Sequence, residues 1–158
     1  QNDGVHQITV SGIAPFDVLC DSKFLGPGWI VIQQGIDGTE DFSRSWAAYR
    51  EGFGKFDGDF FLGLEKIYRL TNSRRHELYA QYVASNRNVY LALYDDFKIS
   101  DESSGYALSL GEFTGNLDML GYDNKMKFTT YDRDNDNYSR RCAEAHKSGW
   151  WFNNCTSL

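Results

Sequence analysis

The sequence predicts an α+β domain built on antiparallel sheet, with short helices and a long irregular final third. Three observations lead there: two stretches with helical spacing come first, three β-rich runs follow, and beyond residue 111 glycine, aspartate and asparagine displace any regular pattern. A length of 158 residues is usual for one domain and long enough to bury a core, and the chain shows no repeat, low-complexity tract or linker. Its 15 glycines and only two prolines suit a turn-rich globular fold.

Taken in order, GWIVIQQ (28–34) is β-branched and bounded by glycines, and the IDGT that follows offers an Asp-Gly turn, so a strand entering a tight turn is expected. Phe42, Trp46, Tyr49 and Phe53 then recur at spacings of four, three and four. That predicts one apolar helical face, capped by Asp41 and stopped by Gly52 and Gly54. A second helix is expected where Leu64, Ile67 and Leu70 repeat, ending at the Thr71-Asn72-Ser73 break. HELYAQYVA (76–84), NVYLALYDDFKI (88–99) and GYALSLGEF (105–113) read as three successive strands separated by polar turns.

Charge and hydropathy exclude two classes of partner. The formal net charge is -6, and the longest basic runs are the pairs Arg74-Arg75 and Arg140-Arg141, so the basic face that phosphate neutralisation requires is missing and nucleic acid is not expected. No apolar run approaches the roughly 20 residues needed to span a bilayer, so membrane insertion is not expected either. His6, His76 and His146 are scattered, without metalloprotease spacing, and no G-x-S-x-G elbow or phosphate-binding glycine loop occurs.

Two features of the final third carry chemistry. Cys142 and Cys155 enclose twelve mostly small and polar residues, which suits either a disulfide-closed loop or two buried thiols, and Cys20 is left over. In YDRDNDNYSRRC (131–142), Asp132, Asp134 and Asp136 sit at i, i+2 and i+4. From chemistry alone this is a hard-cation site, a solvated acidic turn or a catalytic carboxylate cluster. It is not an EF-hand, because Asn137 and Ala143 occupy the positions that need glycine and glutamate. In SGWWFNNC, adjacent tryptophans on extended chain point to opposite faces, so one ring fills the core while the other either joins it or lines a surface pocket.

Four blocks then fall in order: GWIVIQQGIDGTEDFSRSWAAYREGFG, FFLGLEKIYRLT, MKFTTYDRDNDN and CAEAHKSGWWFNNC. Together they resemble the fibrinogen-related domain, the carboxyl-terminal globular domain of fibrinogen chains, ficolins, tachylectins, angiopoietins and tenascins. The resemblance implies a single domain over 1–158, divided roughly at 1–30, 31–102 and 103–158, the last a partial ligand-binding region. It implies a secreted, non-enzymatic recognition domain holding Ca2+ through the carboxylates of Asp134 and Asp136 and the carbonyls of Tyr138 and Arg140. Asp132 is then left off the ion.

The same resemblance makes Cys142–Cys155 a disulfide, puts a cis peptide between Asn154 and Cys155, and builds a pocket from Trp151, Asn154, Cys155 and Thr156. Its expected ligand is an acetylated carbohydrate, as in innate-immune lectins; the alternative is a receptor or matrix protein met by surface contacts. Two departures stand out: Arg140 replaces a frequent glycine, and Thr156 a frequent histidine. The family usually continues past this point to complete the pocket, places a partner for Cys20 upstream of Gln1, and gains copies through amino-terminal oligomerising segments.

Overall fold

Strand β1 (Gly4–Ile8), β2 (Phe16–Asp21) and β3 (Trp29–Val31) form an antiparallel meander at the amino end of the computed structural model, which describes residues 3–155. Phe16, Val18 and Cys20 alternate inward along β2, as a half-buried strand requires. Cys20 is buried and has no disulfide partner among the described residues.

The apolar run at 28–34 serves two sheets. After Val31 the chain leaves the first, and β4 (Gln33–Gln34) pairs with β6 (Phe60–Phe61), which also holds β5 (Phe53–Gly54). The expected Asp-Gly turn follows, with Gly38 at φ 68°. Buried Asp59 organises it by accepting the amide N–H groups of Ile36 at 2.6 Å and Asp37 at 3.0 Å.

The first helix differs from its expected span. Helix α1 covers only Trp46–Glu51, and its cap is Ser45, whose Oγ accepts the Ala48 N–H. Asp41 instead closes a local turn by taking the Ser43 N–H at 2.9 Å, a competition that short carboxylates commonly win over helix entry. Phe42 and Phe53 lie outside the helix yet keep the predicted company: Tyr49 donates its hydroxyl to the Phe42 carbonyl, and the Tyr49 and Phe53 rings sit 5.0 Å apart. Gly52 stops the helix at φ 96°, where a Cβ would also strike the Leu62 carbonyl.

Helix α2 (Leu64–Ser73) buries Leu64, Ile67 and Leu70 as their spacing predicts, and takes in the Thr71-Asn72-Ser73 stretch before it stops. Thr71 Oγ1 and Ser73 Oγ donate back to the carbonyls of Ile67 and Leu70, so these residues form the last turn of the helix, which ends after Ser73.

Of the three β-rich runs, the first yields one strand and the others divide. β7 (Leu78–Val83), β8 (Val89–Tyr94) and β11 (Phe113–Gly115) make one sheet with β8 in the middle, while β9 (Phe97–Ile99) and β10 (Leu108–Leu110) pair separately. The cut falls at Asp95-Asp96 and Gly111-Glu112, which bond to each other through Gly111 N to Asp96 O and Asp95 N to Glu112 O. The Asp95 carboxylate and the Asp96 Cβ and amide nitrogen crowd Gly111, where any Cβ would meet them.

Aromatic rings join these layers. Phe128 is fully buried and lies 5.1 Å from both Tyr49 and Trp151, so the core runs from α1 into the irregular final third. Such ring pairs add about 0.5–1.5 kcal/mol each beyond their burial.

Candidate functional site

The acidic loop springs from a short ladder. Thr129 and Trp150 exchange two backbone hydrogen bonds, and Thr130 and Arg133 close a turn, which turns the chain back over α1. Asn135 then ties the loop down: its N–H reaches Thr129 Oγ1 and its side-chain amide donates to the Phe128 carbonyl at 2.8 Å.

The three aspartates take different parts. Asp132 Oδ1 accepts the Trp46 N–H at 2.9 Å and the Thr130 hydroxyl at 2.7 Å. Burial works to raise this carboxyl, but the Thr130 and Trp46 donors, together with its own N–H and the Arg133 charge, hold it below the ordinary value. Asp134 and Asp136 stand beyond it, the Asp134 carboxylate accepting the Asp136 N–H at 3.1 Å. Asp136 uses both oxygens on backbone, taking the Tyr138 N–H with Oδ1 and the Cys142 N–H with Oδ2, each at 3.0 Å. Burial and the facing Asp134 carboxylate push Asp136 upward.

Burial is the larger cause, and the nearby Asp134 carboxylate adds to it. Neither carboxylate forms an ion pair among the described residues, so their repulsion is uncompensated by any side chain. The donor set suits a hard cation, since a carboxylate that accepts one N–H per oxygen keeps further lone pairs. Cys142 Sγ and Cys155 Sγ lie within 4.8 Å of an Asp136 oxygen but are bonded to each other, which leaves oxygen as the only ligand type offered. Arg140 does not take a positive φ, so the strain that a glycine position would impose on arginine is absent.

The disulfide implied by the resemblance is present, with Cα atoms 5.2 Å apart across thirteen positions. It closes over helix α3 (Cys142–His146), which the sequence reading lacked. His146 packs on Phe152 and bonds through Nε2 to the Cys155 carbonyl, fixing the closing end. The expected cis bond between Asn154 and Cys155 is corrected: the described residues contain no cis peptide. A non-prolyl cis bond costs about 3–4 kcal/mol, and the bridge spans its Cα separation with a trans one.

The expected pocket residues are only partly together. Trp151 lies in the core, 3% exposed, its indole N–H donated to the Tyr106 carbonyl at 2.8 Å. Trp150 is half-buried on the opposite side and donates to Asp123, the alternation expected of extended chain. Asn154 and Cys155 are half-buried, and Thr156 lies outside the described residues. Asn153, absent from the sequence reading, joins the parts: its carbonyl accepts the Asn137 N–H at 2.7 Å and its side chain donates to the Tyr122 carbonyl. Three tyrosines stand exposed around this region, Tyr122, Tyr131 and Tyr138.

Residues 1–158 match the family of fibrinogen beta and gamma chains, C-terminal globular domain. The chain belongs to that family. Angiopoietin-related protein 1 of Homo sapiens is 42% identical over 141 residues, which is 88% of this chain and 28% of that protein. Fibrinogen-like protein 1 of Bos taurus is 37% identical over 177 residues, covering 99% of this chain and 56% of its own length. This fibrinogen C-terminal domain thus spans less than two thirds of these relatives.

Solved structures agree on the fold. The fibrinogen-like globe domain of human ANGPTL2 superposes with TM-score 0.92 at 37% identity, covering 96% of this chain and 71% of that one. A lamprey fibrin D-dimer complexed with the peptide Gly-His-Arg-Pro-amide gives 0.86 at 33%, with coverages of 97% and 54%. The α+β architecture with antiparallel sheets is therefore that of the family, and among the described residues no helix is long and apolar enough to cross a membrane.

Proposed function

We propose that this fibrinogen C-terminal domain is an extracellular, non-catalytic module that recognises another protein, its irregular final third held in shape by a calcium ion. The observation that carries the reading is the likeness over nearly the whole chain to angiopoietin-related globe domains and to a fibrin that takes a peptide ligand. Exposed Tyr122, Tyr131 and Tyr138 on a disulfide-closed, hydrogen-bonded loop system fit it, because rigid amphipathic rings supply contact area at low entropic cost.

Asp134 and Asp136 would hold the ion through their carboxylates, with the main-chain carbonyls of Tyr138 and Arg140. Bound there, calcium supplies positive charge that relieves the carboxylate repulsion and orders the loop. The protein itself provides the rest: Asn135 and Asp132 anchor the loop to the ladder and to α1, and the disulfide fixes its exit.

The acetylated-carbohydrate reading has no comparable support, since Trp151, expected in its pocket, faces the core. Two columns separate the readings. The protein is passed over N-acetylated resin and over immobilised receptor ectodomains, each with calcium and with chelator. Retention on an ectodomain alone, weakened by chelator, is expected; retention on the resin with release by free acetylated sugar would overturn the protein-recognition reading in favour of the lectin one.

A further inference from the structure

We infer that a groove bordered by the β9–β10 pair is a second binding site, distinct from the calcium loop, which takes a sulfate or phosphate group. A groove of about 300 Å³ opens there, lined by Lys98, Lys125, Ser109, Ser100, Asn72 and Leu108 among others. No carboxylate lines it, although acidic residues outnumber basic ones by 22 to 16 in the chain.

The donors divide into spent and unspent. Asn72 gives its amide to the carbonyls of Tyr68 and Ile99, and the Ser100 hydroxyl accepts the Ala107 N–H and faces backbone carbonyls. Lys98, Lys125 and Ser109 form no ion pair or side-chain hydrogen bond among the described residues. Strand register sets Ser109 directly across from Lys98, so a free hydroxyl and a free ammonium sit side by side, with a second ammonium on the next segment. Two cations and a hydroxyl around one groove match a tetrahedral oxyanion, which accepts several hydrogen bonds and carries the missing negative charge.

Lys125 is held in place at a cost. The segment it begins runs along β10, where Lys125 N bonds to Leu108 O and Leu108 N to Met126 O, so two residues oppose one in a bulge. Lys125 takes φ 75° in that bulge, the left-handed position that usually falls to glycine. A strained backbone that presents an unpaired cation to a groove is the pattern expected of a binding residue.

The oxyanion either is free or is borne by a polysaccharide, and two arms tell these apart. Inorganic sulfate and phosphate are titrated calorimetrically into the protein, and heparin oligosaccharides are titrated in parallel across a salt series. Binding in either arm, weakened about tenfold or more in Lys98→Glu and in Lys125→Gly but not in the remote Lys23→Glu, is the expected result. Lys125→Gly also keeps or raises the melting temperature, because glycine relieves the strained φ, and this separates lost binding from lost folding. Absence of binding in both arms, or equal weakening by Lys23→Glu, overturns the site. Neither result bears on the calcium loop, whose ligands are untouched.

Discussion

The Asp132 carboxylate accepts the backbone N–H of Trp46, 86 positions earlier in the chain, at 2.9 Å. One bond therefore ties the entry of the acidic loop to the first residue of α1. Arg133, next in sequence, lies 4.1 Å over the Trp46 ring, whose indole N–H in turn goes to Glu102. The loop is fastened to the helical layer before it reaches Asp134.

Replacing Asp132 should act through this fastening. Asp132→Ala leaves the first amide of α1 and the Thr130 hydroxyl without their acceptor, and a loss of about 1 kcal/mol in stability is expected, as for a helix cap. Asp132→Asn retains an acceptor oxygen and should recover most of it. Urea unfolding of both variants, with equal m-values, checks the order.

Asp134→Ala and Asp136→Ala are expected to agree in losing the response to calcium and to differ in their calcium-free stability. Calcium is expected to raise the melting temperature of the unmodified protein by stabilising the folded state, and both variants to lose that response. Asp136→Ala lowers the calcium-free melting temperature more, because its two oxygens satisfy the Tyr138 and Cys142 amides whereas Asp134 accepts only the exposed Asp136 amide. Melting curves with calcium and with chelator read both effects, and a calcium response retained in Asp134→Ala would remove that residue from the ligand set.

Opening the Cys142–Cys155 bridge by Cys155→Ser should cost about 3 kcal/mol if the unfolded chain regains the closed loop's entropy. Protection from amide exchange should fall first in α3 and at Asn137, whose N–H depends on the Asn153 carbonyl just before the bridge. Uniform loss of protection across β7 and β8 would show instead that the bridge supports the whole fold.

Acid should weaken the fold through Asp59. The amides of Asp37 and Ile36, then that of Glu40, hold its carboxyl at about 2, against 3.8 ordinarily. The unfolded chain binds this proton more readily, so the contribution is complete above the unfolded value and is lost as pH falls through about 2. Asp59→Asn should flatten that part of the stability curve and loosen the turn at Ile36, as measured by denaturant midpoints across the acid range.

Where local pattern carried information, the sequence was a good guide. The spacing of Leu64, Ile67 and Leu70 gave the buried face of α2, and the aromatic series at Phe42, Trp46, Tyr49 and Phe53 found a real cluster. The same series overstated the helix, because rings that meet in space need not share one helix; the Tyr49 hydroxyl and a hairpin bring Phe42 and Phe53 to it. The adjacent tryptophans were legible as opposite-facing, and Trp151 proved the core member.

By itself the sequence determined the α+β class, the succession of two helical stretches and three β-rich runs, the family, and which aspartates stand nearest one another, because each of these is written in neighbours or in spacing. Tertiary structure alone decided that Asp132 reaches Trp46, that Asn153 joins Asn137 to Tyr122, and that Lys98 and Lys125 border one groove. Those partners lie 16 to 86 positions apart, and no local periodicity records a meeting that depends on how separate layers pack. The physical reason is that hydrogen bonds and charges act over a few ångströms of space, whatever their distance along the chain.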